Sequence, residues 1–201
     1  MLTEQEHFWA GDFGHEYLNR NTSAQLLTAK IAMWSNILRS THGVHSIQEL
    51  GCNVGLNLLA LKQLKPELKL SGIEINAEAV KQAASLNVAE IQQGTVLEKM
   101  STPMVDLTFT AGVLIHINPD YLKQVYENLV SQSCRYIVIA EYYNPSRTSV
   151  TYRGHQDRLF KCDFSGELMD QYHLKLIDYG FIYHRDNWAP QDDITWFLME
   201  K

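Results

Sequence analysis

Hydrophobic positions recur along this chain at two spacings, and the spacing switches at glycines, prolines and polar clusters. From Ser23 to Arg39, Leu27, Ile31, Trp34 and Leu38 fall at helical spacing, and the Ser-Thr-His-Gly stretch ending at Gly43 closes an amphipathic helix. Residues 46–50 read as a short strand, and 55–65 as a helix that Pro66 terminates. The segment LKLSGIEI (68–75) alternates like a strand, 77–86 reads as a helix, and strands are expected near 89–92 and 104–110. A further helix opens with Asn118 as N-cap and Pro119 at its first position. RYIVIAEYY (135–143) is almost wholly apolar, which predicts a central strand buried on both faces. After a polar segment, 164–172 reads as a helix. Two last strands, 174–183 and 193–200, follow with no helical stretch between them. Alternating strands and helices predict an α/β fold with a mostly parallel sheet covered on both faces, the last strand entering antiparallel.

Composition narrows the class without changing that outline. With 201 residues, 45% of them hydrophobic and 20% charged, and with no repeat or Gly/Ser linker, the chain suits a single domain spanning 1–201. A net charge of −6 disfavours broad nucleic-acid binding. No apolar run reaches the ~18 residues of a membrane span. The opening MLTEQEHFWAGDF is acidic and lacks the apolar core of a signal peptide, so no export and no membrane partner are expected. The three cysteines, Cys52, Cys134 and Cys162, show neither close pairing nor metal-ligand spacing, which fits a reducing cytoplasm and no metal.

The chemistry concentrates in ELGCNVGLN (49–57), between the first predicted strand and helix, where doubly wound sheets bind ligands. A dinucleotide loop favours G-x-G-x-x-G, whose second glycine lets the backbone approach a pyrophosphate; here Asn53 stands at that place. The acid Glu49 would repel phosphates and welcome an ammonium or sulfonium group. Gly51 and Gly55 permit a tight turn and close approach. Glu74, ending the second strand, is placed to accept both hydrogen bonds of a ribose diol. The pattern is that of a nucleoside site without a diphosphate.

The Glu49–Gly55 loop followed by Glu74 resembles motif I and the acidic ribose position of the class I S-adenosylmethionine (SAM) methyltransferases, with Asn53 departing at the middle glycine of that motif. QQGTVLE (92–98) is similar to the family's G-D segment, with Thr95 where an aspartate often holds the adenine amine. VDLTFTAGVLIHI (105–117) matches the segment lining the methyl-transfer site. The resemblance implies a Rossmann-like class I methyltransferase fold with a seven-stranded sheet, SAM as cofactor and S-adenosylhomocysteine as product. It implies cofactor contacts from Glu49, Gly51, Cys52, Asn53, Gly55, Glu74, Ile75, Thr95 and Val96. The backbone of Thr110, Ala111 and Gly112 would face the cofactor's amino group. The terminal segments TEQEHFWAGDFGHEYLNRN and EYYNP through PQDDITWFLMEK look like the small methylases associated with pseudaminic acid biosynthesis. This implies a nonulosonic sugar, free or nucleotide-linked, as acceptor, methylated on oxygen.

Three further groups are candidates for the reaction itself. His116, just past the fourth strand, has the natural pKa, ~6.5, to take a hydroxyl proton; ordering the loop before Pro119 is the competing account. Arg147, Arg153, Arg158 and Lys161 face Asp157 alone in sequence, a local reversal of the chain's negative balance. Arg153 and Arg158, with His155, are expected to bind the acceptor's anionic group within an acceptor-recognition insertion spanning 142–163. A solvated loop is the plainer alternative. Tyr142, closing the fifth strand, could touch acceptor or cofactor. In the N-terminal 1–22, Tyr17 and Arg20 are expected to form a lid over the cofactor, with Phe8, Trp9 and Phe13 serving either the lid or the core. The expected protein is thus a SAM-dependent O-methyltransferase, monomer or homodimer, acting on an anionic sugar. The rivals are a methyltransferase for another small metabolite or a protein side chain, a non-catalytic SAM-binding module, and an NAD enzyme, the last disfavoured by Glu49 and Asn53.

Overall fold

Short runs of branched and aromatic residues pair into a seven-stranded sheet. The computed structural model describes residues 2–11, 13–14, 24–100, 102–152 and 155–201, with only the backbone described for 151, 152 and 155–158. The strands are β1 (Ser46–Leu50), β2 (Lys69–Glu74), β3 (Glu90–Gln93), β4 (Val105–Ala111), β5 (Ser133–Glu141), β8 (Lys175–Ile182) and β9 (Ile194–Glu200), in spatial order β3-β2-β1-β4-β5-β9-β8. β1 to β5 run parallel, and β9 enters antiparallel between β5 and β8. The order reverses between β1 and β4, which opens a crevice at the carboxyl ends of those two strands.

Both faces are covered. Along β5, Tyr136, Val138 and Ala140 share one buried cluster with Trp34 and Ile37 of helix α2 (Ala24–Leu38) and Leu58 and Leu61 of α3 (Leu56–Leu64). Ile137 and Ile139, pointing the opposite way, pack with Val125 and Leu129 of α5 (Leu122–Gln132) and Leu168 of α6 (Phe164–Tyr172). Helix α4 (Ala77–Ser85) follows β2, its N-cap Asn76 accepting from the backbone N–H groups of Glu78 and Ala79. Asn118 caps as expected, but it opens a 3-10 turn (Pro119–Tyr121) that leads into α5.

Two segments depart from the sequence pattern. The polar stretch after β5 folds as a two-stranded antiparallel hairpin, β6 (Thr148–Tyr152) with β7 (His155–Lys161). Its sequence lacks an alternating apolar face; among its described side chains Leu159 is buried and joins the cluster containing Leu114 and Ile115. At the N-terminus, Glu4–Ala10 forms helix α1, started by a capping box in which Thr3 and Glu6 bond each other's backbone N–H.

Candidate functional site

The β1–α3 loop turns sharply because three residues take left-handed backbone: Gly51 (φ 80), Asn53 (φ 48) and Gly55 (φ 79). A Cβ at Gly51 would come within 2.6 Å of Val113, so glycine there permits close contact with the β4 exit as well as the turn. Asparagine is among the few side chains that tolerate this region, so Asn53 keeps the loop's shape without a glycine. Glu74 ties the loop down: its Oε2 accepts from the N–H of Asn53 at 2.8 Å and its Oε1 from the N–H of Asn76 at 2.8 Å. A carboxylate has about four lone-pair sites, so room remains on both oxygens for a diol.

Over this loop lies a cavity of about 320 Å³ at the crevice between β1 and β4. Glu49 forms part of its floor. Asn57 donates to Glu49 Oε1 at 2.6 Å and is itself held by the indole N–H of Trp34 at 3.3 Å. The other oxygen, Oε2, is buried and has no hydrogen-bond partner among the described residues. Burial pushes the Glu49 carboxyl up to about 8, against the opposing pull of Asn57 and of the nearby Lys30. Burial likewise lowers Lys30, with Glu49 and Asp192 acting in the other direction. Burial also raises Glu74, against its backbone hydrogen bonds. An ammonium group beside Glu49 would satisfy its free oxygen and draw it into the charged form.

The roof comes from α1. Glu6 accepts a hydrogen bond from the Thr95 hydroxyl, Asn76 donates to the carbonyl of Trp9 at 3.1 Å, and the Trp9 ring lies beside His116. His116 sits in a 3-10 turn (Leu114–His116) immediately after β4, 9% exposed, on the cavity wall. Opposite, the β8–β9 connection contributes Gln191 and Asp192, with Gln191 pinned to the Ala29 carbonyl at 3.2 Å.

The cavity therefore gathers most of the residues expected from sequence: Glu49, Gly51, Cys52, Asn53, Glu74 and Ile75 on one side, and Thr95, Val96, Ala111, Gly112, His116 and Tyr142 on the other. Two further residues of the expected set do not line the cavity. Thr110, expected to offer its backbone, is fully buried, with its hydroxyl bonded to Glu141 at 3.2 Å. Gly55 serves the turn into α3 and packs on Ala83 without lining the cavity. Cys52 packs against Gly72 and burial raises its thiol well above the ordinary range, so it is inert. Tyr17, Arg20 and Arg153 lie outside the described residues, as do the side chains of His155 and Arg158. Sequence reading missed Glu6, Lys30, Asn57, Glu141, Gln191 and Asp192. Only Glu6 carried a local signal, as the fourth residue of the Thr3 capping box.

The sheet order, the inserted antiparallel β9 and a cavity at the switch point define the Rossmann-like fold of the class I methyltransferases. Solved structures sharing it include magnesium protoporphyrin IX methyltransferase (ChlM) from Synechocystis PCC 6803 with bound SAH, 11% identical over 98% of this chain and 97% of that one, TM-score 0.70. The plantazolicin methyltransferase BpumL in complex with SAH is 16% identical over 98% of this chain and 94% of the other, TM-score 0.68. The glycopeptide N-methyltransferase MtfA complexed with SAM is 9% identical over 86% and 92%, TM-score 0.66. No family model and no curated protein matches the sequence. Among the described residues, no helix is long and apolar enough to cross a membrane.

Proposed function

We propose that this chain is a SAM-dependent methyltransferase. The observation that carries the reading is the pair of carboxylates, buried Glu49 and half-buried Glu74, lining one cavity beneath a loop shaped like motif I. Glu49 Oε2 would accept from the cofactor's ammonium, Glu74 from its ribose hydroxyls, and Thr95 and Val96 would flank its base. Bound SAM supplies a methyl group activated by a sulfonium. The protein's own part is alignment and exclusion of water, with His116 taking the proton of an acceptor hydroxyl at the cavity wall. Residues 1–22 act as a lid, with α1 over the cavity and Tyr17 and Arg20 over the cofactor.

The acceptor in this reading is a hydroxyl of a nonulosonic sugar or its nucleotide-linked form, bound through its anionic group by Arg153 and Arg158 with His155, in an acceptor-recognition segment spanning 142–163. Support comes from the resemblance of the terminal segments and from the cationic run in the sequence. The enzyme acts in the cytoplasm as a monomer or homodimer. A second reading, methylation of another small metabolite such as an amine, is favoured by the cavity wall itself. Among its described residues the acids Glu6, Glu49, Glu74 and Asp192 outnumber Lys30. Release of S-adenosylhomocysteine from SAM, measured with N-acetylneuraminic acid, its CMP-linked form and a panel of primary amines, separates the two. Turnover on the acidic sugars that falls in Arg153→Ala supports the first reading. Turnover on amines alone replaces it with the second.

A further inference from the structure

We propose that Glu141, at the end of β5, is the positioning residue for the turn at 113–117 and thereby for His116. After β4 the chain reverses at Gly112, which takes left-handed backbone (φ 71), and then forms the single 3-10 turn that carries His116. The turn closes through His116 N–H to Val113 carbonyl at 2.9 Å and Ile117 N–H to Leu114 carbonyl at 3.1 Å. Its leading N–H groups have no acceptor within the turn, and Val113 at its N-cap provides no side-chain hydrogen bond. Glu141 takes this place from the neighbouring strand. Its Oε1 accepts from the N–H of Val113 at 2.9 Å, the N–H of Leu114 at 3.0 Å and the hydroxyl of Thr110 at 3.2 Å.

Among the described contacts on the turn are also Leu159 of β7, in the cluster with Leu114 and Ile115, and the Trp9 ring beside His116. Such contacts resist displacement but do not orient a backbone, whereas one oxygen shared by three donors does. The arrangement is costly for stability. Glu141 is 2% exposed, and its Oε2, like the Oγ of Ser165 beside the same small cavity, is buried with no partner among the described residues. A residue serving the fold alone would be better apolar, because a buried unpaired polar atom carries its full desolvation cost. Val113, Ile115, His116 and Ile117 all line the main cavity, so the turn that Glu141 fixes is part of the site wall.

The effect on turnover rests on the proposed role of His116; the effect on the turn does not. The test uses the full chain with SAM, taking the acceptor on which turnover is found, with Glu141→Leu, Glu141→Gln and each combined with His116→Ala. In Glu141→Leu, hydrogen exchange at the Val113 and Leu114 amides should quicken at least about tenfold and kcat fall about thirtyfold, with the Kd for SAM changed less than about threefold. Glu141→Gln, which keeps a weaker acceptor in the same place, should be intermediate, about threefold in both readouts. On the His116→Ala background neither change should lower kcat further. Unaltered exchange at both amides in folded Glu141→Leu overturns the proposal, as does an equal loss of kcat on both backgrounds. Should Glu141→Leu not fold, unaltered exchange and kcat in Glu141→Gln overturn it instead. If His116→Ala alone is fully active, the base assignment fails while the exchange measurement still decides the role of Glu141.

Discussion

The indole of Trp9 lies beside the imidazole of His116, ring centroids 4.5 Å apart and planes inclined at 54°. This contact joins the N-terminal helix to the far wall of the cavity, while Glu6 and the Trp9 carbonyl join it to Thr95 and Asn76 on the near side. In the proposed reading α1 is part of the lid through which the cofactor enters and leaves.

Trp9→Ala should accordingly speed SAM release more than it alters any chemical step. We expect the dissociation rate to rise about tenfold, the equivalent of ~1.4 kcal/mol, measured by stopped-flow displacement with excess SAH. An unchanged dissociation rate in the folded variant would remove α1 as a gate.

Glu74→Ala should weaken SAM and SAH equally, by ~1.5–3 kcal/mol, the usual range for a hydrogen bond to a charged group, because both carry the same ribose. Since Glu74 also holds the Asn53 N–H, exchange at that amide should quicken in the unliganded variant. Calorimetry showing wild-type affinity for both ligands would contradict the ribose assignment.

His116→Ala should lower turnover by about 100-fold or more, the scale of general-base catalysis, with SAM affinity retained. Near-normal turnover across neutral pH would make His116 a wall residue only.

Buried acids make the unliganded protein's stability depend on pH in a definite direction. Burial raises Glu49 to about 8 and Glu141 to about 7, and raises Glu74, so the folded chain holds these protons more tightly than the unfolded chain. Their contribution is full below the ordinary carboxylate range and is lost as pH rises through about 7 and 8. Between pH ~5.5 and ~8.5 the unfolding midpoint should fall by at least ~3 °C, about 1 kcal/mol for a chain of this size. Glu49→Gln should flatten the upper part of that fall. A midpoint that rises with pH over this range would contradict the burial of these acids as charged-form penalties.

Much of the fold could be read from periodicity because its core elements obey a single rule. The apolar run of β5 is buried on both faces, and the spacing of Leu27, Ile31, Trp34 and Leu38 marks one side of α2. The loop side of the cavity was readable for a similar reason: Glu49 and Glu74 lie at the ends of β1 and β2, and Gly51 and Asn53 in the loop that follows β1, at positions the element order dictates. What escaped depends on contacts distant in sequence. Glu141 looked like an ordinary strand end, yet its acceptors serve a turn 28 positions earlier. Gln191 finds its partner at Ala29, 162 positions away. The β6–β7 hairpin has polar residues on both sides, and among its described residues Leu159 joins the core, so alternation gave no warning of it.

The central claim, that the cavity over the Glu49 loop binds SAM, is tested most directly by calorimetric titration of the purified chain with SAM and with NAD. We predict one molar equivalent of SAM bound with a Kd in the micromolar range, about −8 kcal/mol, an affinity that rises with pH as Glu49 ionises, and no heat with NAD. Absence of SAM binding by the folded protein, or binding of NAD in its place, would contradict it.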